Sequence, residues 1–238
     1  MRFFADIPLA LDTKVQLPDD VAHHLVKVLR ANIGSTLFIF NGQGGMFEAE
    51  LTEAGKKSAT VKLLQFHADD HESSLHTHLG QVMSKSDRMD YAIQKAVELG
   101  VTEITPLTSE RCELRLRGEE RAEKKIEHWQ RVAISACEQC GRNRVPLIHA
   151  PMALNDWLPT VNTELKLVLA PAHRGALPTN PITSVSLLIG PEGGLSELEI
   201  QLAKQHHFQA WQIGPRVLRT ETAPVAALAL LQAKWGDF

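Results

Sequence analysis

The hydrophobic pattern of this chain changes period near residue 79. Before that point, short apolar or alternating runs recur between glycine-containing turns, as at Thr36–Phe40, Met46–Leu51 and Ala59–Leu64. Asn41-Gly42-Gln43-Gly44-Gly45 separates the first two. Runs of this length and punctuation read as strands. One helical stretch, Asp19–Arg30, interrupts them, with Val21, Leu25, Val28 and Leu29 on one face. Beyond residue 79, strand-like and helix-like segments alternate. Strands are expected at Leu79–Met83, Ile104–Leu107, Leu165–Ala170, Val185–Ile189 and Ala210–Ile213. Helices are expected at Asp87–Leu99, Arg121–Cys140, Ser196–His206 and Pro224–Trp235. Ser196 and Glu199 have the spacing of a capping box. Alternation of this kind implies an α/β domain with a largely parallel sheet, and the earlier segment a small barrel. The expected division is 1–70, a polar linker at 71–78, and 79–238.

Composition narrows the class. A chain of 238 residues, 44% apolar, buries an ordinary globular core. No apolar run is long enough to span a bilayer, and Met1–Ala10 lacks the features of a signal peptide, so a cytoplasmic protein is expected. Net charge is −3, which argues against a strongly basic, non-specific nucleic-acid binder. A local mixture of arginines, lysines and glutamates lies between Arg111 and Arg144. Cys137 and Cys140 match C-x-x-C but sit near the end of a helical pattern, whereas redox pairs open a helix after a strand; they read as packed residues. His67, His71, His76 and His78 have no carboxylate or cysteine framework near them in sequence, so no metal is expected.

Ligands of parallel sheets bind beyond the C-terminal strand ends. Three such ends carry unusual loops: Leu169-Ala170-Pro171, Ile189 to Leu195, and Ile213 to Pro224. The second, with Gly190, Pro191, Glu192, Gly193 and Gly194, is neither a dinucleotide fingerprint nor a Walker loop. By itself it also fits an ordinary tight turn. The third combines Gly214 and Pro215 with Arg216, Arg219, Glu221, Thr220 and Thr222 ahead of an apolar helix. A capped helix start, with Thr222 as cap and Pro224 in the first turn, explains only part of that set.

Ile189-Gly-Pro-Glu-Gly-Gly-Leu-Ser and Ile213-Gly-Pro-Arg-Val-Leu-Arg-Thr-Glu-Thr-Ala223 closely resemble the RsmE family of 16S rRNA uridine N3-methyltransferases. The resemblance extends to Lys85, Gln94–Val101, Pro106-Leu107, Ser109–Arg111, Ala136–Arg142 with Val145-Pro146, and His23–Gly34. It implies a C-terminal α/β domain of the SPOUT class with a trefoil knot, and a small N-terminal PUA-like β-barrel that binds RNA. It implies S-adenosylmethionine as methyl donor, small-subunit rRNA as partner, and a homodimer. The cofactor is expected against Leu169, Ala170, Pro171, Ile189, Gly190, Pro191, Glu192, Gly193, Ile213, Gly214, Val217, Leu218, Arg219, Thr222 and Ala223. Arg219 is expected to stabilise the uracil oxygens, and Glu221 to remove a proton or orient Arg219. Glu138, Gln139 and Arg142 complete the expected catalytic pocket, from either subunit. Arg2, Lys27, Arg30, Lys85, Arg111 and Arg115 are expected to touch RNA. The competing readings are a SPOUT-class enzyme for another rRNA or tRNA site, a ribosome-assembly factor without chemistry, and a small-molecule nucleotide enzyme.

Overall fold

The computed structural model describes residues 1–55, 58–114, 118–170 and 175–238. These form two compact units. The first contains Met1–Glu72 and, from far along the chain, Cys137–Val145; the second contains Ser73–Ala136 and Pro146–Phe238. The sequence division at 70 and 79 does not anticipate that second contribution to the first unit.

The first unit is a five-stranded sheet in the order β1-β3-β4-β5-β2. Its strands are β1 (Arg2–Phe4), β2 (Lys14–Gln16), β3 (Thr36–Phe40), β4 (Met46–Ala54) and β5 (Ala59–His67). β1 lies parallel to β3, and the other pairings are antiparallel. Alternate residues Leu37, Ile39, Ala49, Leu51, Val61 and Leu63 point inward and join Leu17, Val21 and Leu25 in one core. The helix expected over Asp19–Arg30 is shorter. It is α1 (Asp19–His23), continued over His24–Val28 in a wider turn that the Leu29 N–H closes by donating to His24 O at 3.0 Å. Val28 and Leu29, expected on its buried face, are exposed.

Cys137–Val145 holds to this unit through polar side chains. Glu138 Oε1 accepts the Phe4 N–H at 2.9 Å. The Arg142 guanidinium, only 4% exposed, grips Glu72 with Nε at 2.9 Å and Nη2 at 2.6 Å. Asn143 accepts from Arg2 Nη2 and donates to Asp69 O. These pairings satisfy charges that burial would otherwise make costly.

The second unit is a parallel sheet in the order β12-β10-β11-β6-β7-β8, with β9 also on β7. Its strands are β6 (His76–Val82), β7 (Glu103–Thr108), β8 (Leu147–Ile148), β9 (Met152–Ala153), β10 (Leu165–Leu169), β11 (Ser184–Ile189) and β12 (Gln209–Trp211). The helices are α2 (Ser86–Glu98), α3 (Glu119–Cys140), α4 (Leu154–Trp157), α5 (Glu197–Gln205) and α6 (Thr222–Trp235). The inner strands are buried over consecutive residues, as expected for a sheet covered on both faces. α6 packs on α2. Its one fully buried polar side chain, Gln232, donates to Leu99 O at 2.9 Å and accepts from Ser73 Oγ at 2.6 Å.

Two expectations need correction. The polar stretch 71–78 is not a linker throughout: Leu75 is buried, and His76 already begins β6. Its polarity misleads because His76 and His78 meet polar partners on the neighbouring strand β7, Glu103 and Thr105. Thr222 is not a helix cap. Glu221 holds the cap position of α6 without a side-chain cap bond, and Arg219 O accepts the Thr222 and Ala223 N–H groups instead.

Gly80 marks a close approach in the sheet. A methyl group there would run into the Trp157 ring, which also packs edge-on against His78 and tilted against Phe208. Gly80→Ala should therefore lower unfolding stability by about 1–3 kcal/mol, the usual cost of overpacking. Urea unfolding followed by tryptophan fluorescence checks this; an unchanged midpoint would show that Trp157 can move aside.

Candidate active site

β12, β10 and β11 are neighbours, so the loops leaving their C-terminal ends converge. They enclose a cavity of about 530 Å³, within the range of small-molecule sites. Leu169 and Ala170 come from the end of β10. Ile189, Gly190, Pro191, Glu192 and Gly193 follow along β11 and its loop. Ile213, Gly214, Val217, Leu218, Arg219, Glu221 and Ala223 come from the segment after β12. All line the cavity. Of the expected cofactor residues, Thr222 does not, because it opens α6 with its side chain exposed. Pro171 lies outside the described residues.

The two longer loops are joined by one hydroxyl. Thr220 Oγ1 donates to Gly190 O at 2.9 Å and accepts from Gln81 Nε2 at 3.1 Å. Gln81 is 1% exposed at the end of β6, and its Nε2 also reaches Val82 O. The sequence pattern places Thr220 in the loop and assigns it no role. Its position among charged neighbours hid that it is the buried one.

The Gly190–Gly194 loop is braced from two further sides. The capping box on α5 forms as expected: Ser196 Oγ accepts the Glu199 N–H, and Glu199 Oε2 accepts the Ser196 N–H. Glu199 Oε1 also accepts the Glu110 N–H at 2.8 Å. That anchors the segment from which Arg111 Nη1 donates to Gly193 O at 3.0 Å. On the other side Arg88, near the start of α2, pairs with Glu192 at 2.9 Å. Partial burial pushes the Glu192 carboxyl up, but hydrogen bonds from its own N–H, from Arg88 and from Lys85 N–H outweigh this and hold it below the usual range. Gly194 completes the turn at φ 67, a backbone region that costs glycine little. Arg88 was missed because only the fold brings it to Glu192, more than a hundred residues on.

The cavity combines apolar walls with polar side chains in distinct states. Glu192 is paired. Arg219 is exposed. Glu221 presents a buried Oε2 that has no hydrogen-bond partner among the described residues, so it is an acceptor awaiting a donor.

The other expected site residues are placed elsewhere. Glu138 and Arg142 belong to the first unit, do not line the cavity, and are held by Phe4 and Glu72. Burial pushes the Glu138 carboxyl up despite that N–H bond. The Arg142 guanidinium is pushed down by burial and, more strongly overall, up by Glu72. Arg2, expected at RNA, is a framework residue. It donates to Arg142 O and Asn143 and lies 4.9 Å over the Phe40 ring. Lys27 and Arg30 are exposed on the first unit. Lys85 is exposed and pairs with Glu113. Arg115 lies outside the described residues. Cys137 is buried, its thiol pushed up to about 12 by that burial, so it is no redox nucleophile. Among the described residues no helix is long and apolar enough to cross a membrane.

Residues 71–232 match the family described as an RNA methyltransferase domain, and residues 17–64 match an RNA methyltransferase PUA domain. The chain is 40% identical over 239 residues to the ribosomal RNA small subunit methyltransferase E of Buchnera aphidicola subsp. Schizaphis graminum (strain Sg), covering 99% of this chain and 97% of that protein. It is similar to the solved structure of a ribosomal RNA small subunit methyltransferase E from Neisseria gonorrhoeae bound to S-adenosyl methionine, at TM-score 0.93 and 40% identity, over 100% of this chain and 98% of that one. A Legionella pneumophila structure described with bound SAM aligns at TM-score 0.95 and 39% identity, over 100% and 98% of the two chains. Likeness at this level carries the fold: a SPOUT-type α/β domain with its C-terminal trefoil, and a PUA-like N-terminal domain. This chain belongs to the ribosomal RNA small subunit methyltransferase E family of RNA methyltransferases.

Proposed function

We propose that this chain transfers a methyl group from S-adenosylmethionine to N3 of a uridine in the decoding region of 16S rRNA, working in the cytoplasm as a homodimer on the assembled small subunit. The observation that carries the reading is the cavity where the Gly190–Gly194 and Arg216–Ala223 loops are joined. The relatives' names and the bound S-adenosyl methionine of the Neisseria structure support the reaction class and the donor.

The residues present fit that donor. Leu169, Ala170, Ile189, Ile213, Leu218 and Ala223 supply apolar walls for a flat heterocycle. The backbone from Gly190 to Gly193 and at Gly214 and Val217 supplies hydrogen-bonding groups. The unpartnered Glu221 Oε2 suits an amino or hydroxyl donor of a bound molecule. When bound, S-adenosylmethionine supplies an electrophilic methyl group on a cationic sulfur. The chain's own task is then alignment and charge control. Neutral uracil N3–H is a poor nucleophile. Arg219 stabilises the negative charge that spreads to the uracil oxygens as the N3 proton leaves, and Glu221 takes that proton or orients Arg219. Glu138 and Arg142 serve the framework of the first unit and drop out of the proposed catalytic set.

RNA phosphates are met by Lys27 and Arg30 on the N-terminal unit and by Lys85 on the larger one. α6 is the element we propose for subunit contact. It is apolar around its circumference, and Leu230 remains 45% exposed there.

Arg219→Ala should reduce methyl transfer by roughly 10²–10³-fold, the usual effect of losing one preorganised donor, while calorimetry still detects cofactor binding. Unchanged turnover overturns the role. Mass mapping of 16S rRNA from cells lacking this gene should show the loss of one 3-methyluridine, and an unaltered 3-methyluridine rejects the substrate.

Replacing Lys27 and Arg30 together with Ala should weaken RNA binding and flatten the dependence of log affinity on log salt by about 0.7 per lost phosphate contact. A slope equal to that of the unaltered protein would remove both residues from the RNA surface.

A further inference from the structure

The starts of β6 and β7 carry a cluster that the cavity does not use. Parallel pairing sets His78 beside Glu103, and Glu103 beside Leu147. The next step of that register is continued by the His149 N–H, which donates to Ile104 O at 2.9 Å. The two-residue period of strands therefore brings His76, His78, Glu103, Thr105 and His149 to one face. Glu103 sits between imidazoles: Oε1 is 3.0 Å from His76 Nε2, and Oε2 is 2.7 Å from His149 Nε2. The His78 and His149 ring centroids are 5.5 Å apart. One ligand-type atom from each of His78, Glu103 and His149 lies within 4.8 Å of the other two.

We propose that His78, Glu103 and His149 bind one Zn²⁺ ion at this end of the sheet, with the fourth position open to water. Two imidazoles and one carboxylate are a borderline donor set that suits Zn²⁺; Ca²⁺ and Mg²⁺ prefer all-oxygen sites. Two further features resemble a built site. His78 Nε2 is held by Thr105 Oγ1 at 2.8 Å, the kind of outer hydrogen bond that fixes a ligating ring and its tautomer. The fully buried Trp157 packs edge-on to His78 at 5.4 Å and shields that side of the cluster from water. The groups are only partly exposed and open outward, which gives an ion an entry path. The site joins β6, β7 and the residue that follows β8 at the end opposite the cavity, and stands whether or not the methyl-transfer reading holds. The sequence hides it because the histidines and the carboxylate come from separate segments, so the polar stretch looks unaccompanied.

Titration of chelator-treated full-length protein with ZnCl₂, read by native mass spectrometry, should show one Zn²⁺ per chain and a raised Tm. Co²⁺ in its place should give the intense visible absorption of a tetrahedral site, a measurement that needs no variant. Glu103→Gln and His149→Ala should each weaken Zn²⁺ binding roughly tenfold or more, since loss of an outer-shell partner alone often costs that much. Cys140→Ser should leave binding unchanged. No retained Zn²⁺ in the unaltered protein, equal affinity after His149→Ala, or loss of binding on Cys140→Ser would each overturn the proposal.

Discussion

The hydroxyl of Thr220 is the point on which the cavity depends. Two loops 30 residues apart become one wall because this group donates to Gly190 O and accepts from Gln81. The energy involved is modest: a buried hydrogen bond contributes about 0.5–1.5 kcal/mol net. Its geometric effect is larger. A carbonyl left without this hydroxyl would carry a desolvation cost of about 1–3 kcal/mol, so alternative loop positions are disfavoured. Gln81 belongs to β6, an inner strand, and the loops therefore take their position from the middle of the sheet.

The Gly190–Gly194 loop shows how a weakly informative motif acquires a defined shape. Glycines permit many conformations and select none. Selection comes from outside the loop. The α5 capping box fixes Glu199, Glu199 fixes the Glu110 backbone, and Arg111 beside it holds Gly193 O. From the other side Arg88 holds Glu192. Both braces start on helices, which suits a site whose backbone must stay in place for a ligand. It also explains why the carboxylate of Glu192, central in the motif, is already paired with an arginine of the same chain.

The parts of this arrangement that depend on local periodicity were legible in the sequence. The change of period, the parallel α/β region, the Ser196–Glu199 box and the loops after β11 and β12 all arise from residues a few positions apart. What was not legible depends on pairing at a distance. Strand order places β6 in the middle of the sheet and β12 at its edge, and no local pattern encodes that. Thr222 looked like a cap because threonine favours that position, yet the backbone turn at Arg219 O had already supplied the acceptor. The trefoil course came from family resemblance alone, against the general rule that chains avoid knots.

Charged residues show the same limit and also a way through it. Arginine in a sequence is equally compatible with a phosphate contact, a structural ion pair and a catalytic role. Burial separates them, because a charge removed from water is retained only with partners. Arg2 and Arg142 are buried or half-buried and engaged by the Arg142 carbonyl, Asn143 and Glu72, so both serve the first unit. Arg88 and Arg111 are spent on the loop. Arg219 lines the cavity, is exposed, and makes no side-chain hydrogen bond or ion pair among the described residues. Arg216 lines the cavity and is exposed in the same way, again without a side-chain hydrogen bond or ion pair among the described residues. The frame built by Arg88 and Arg111 therefore leaves two arginines unengaged at the site.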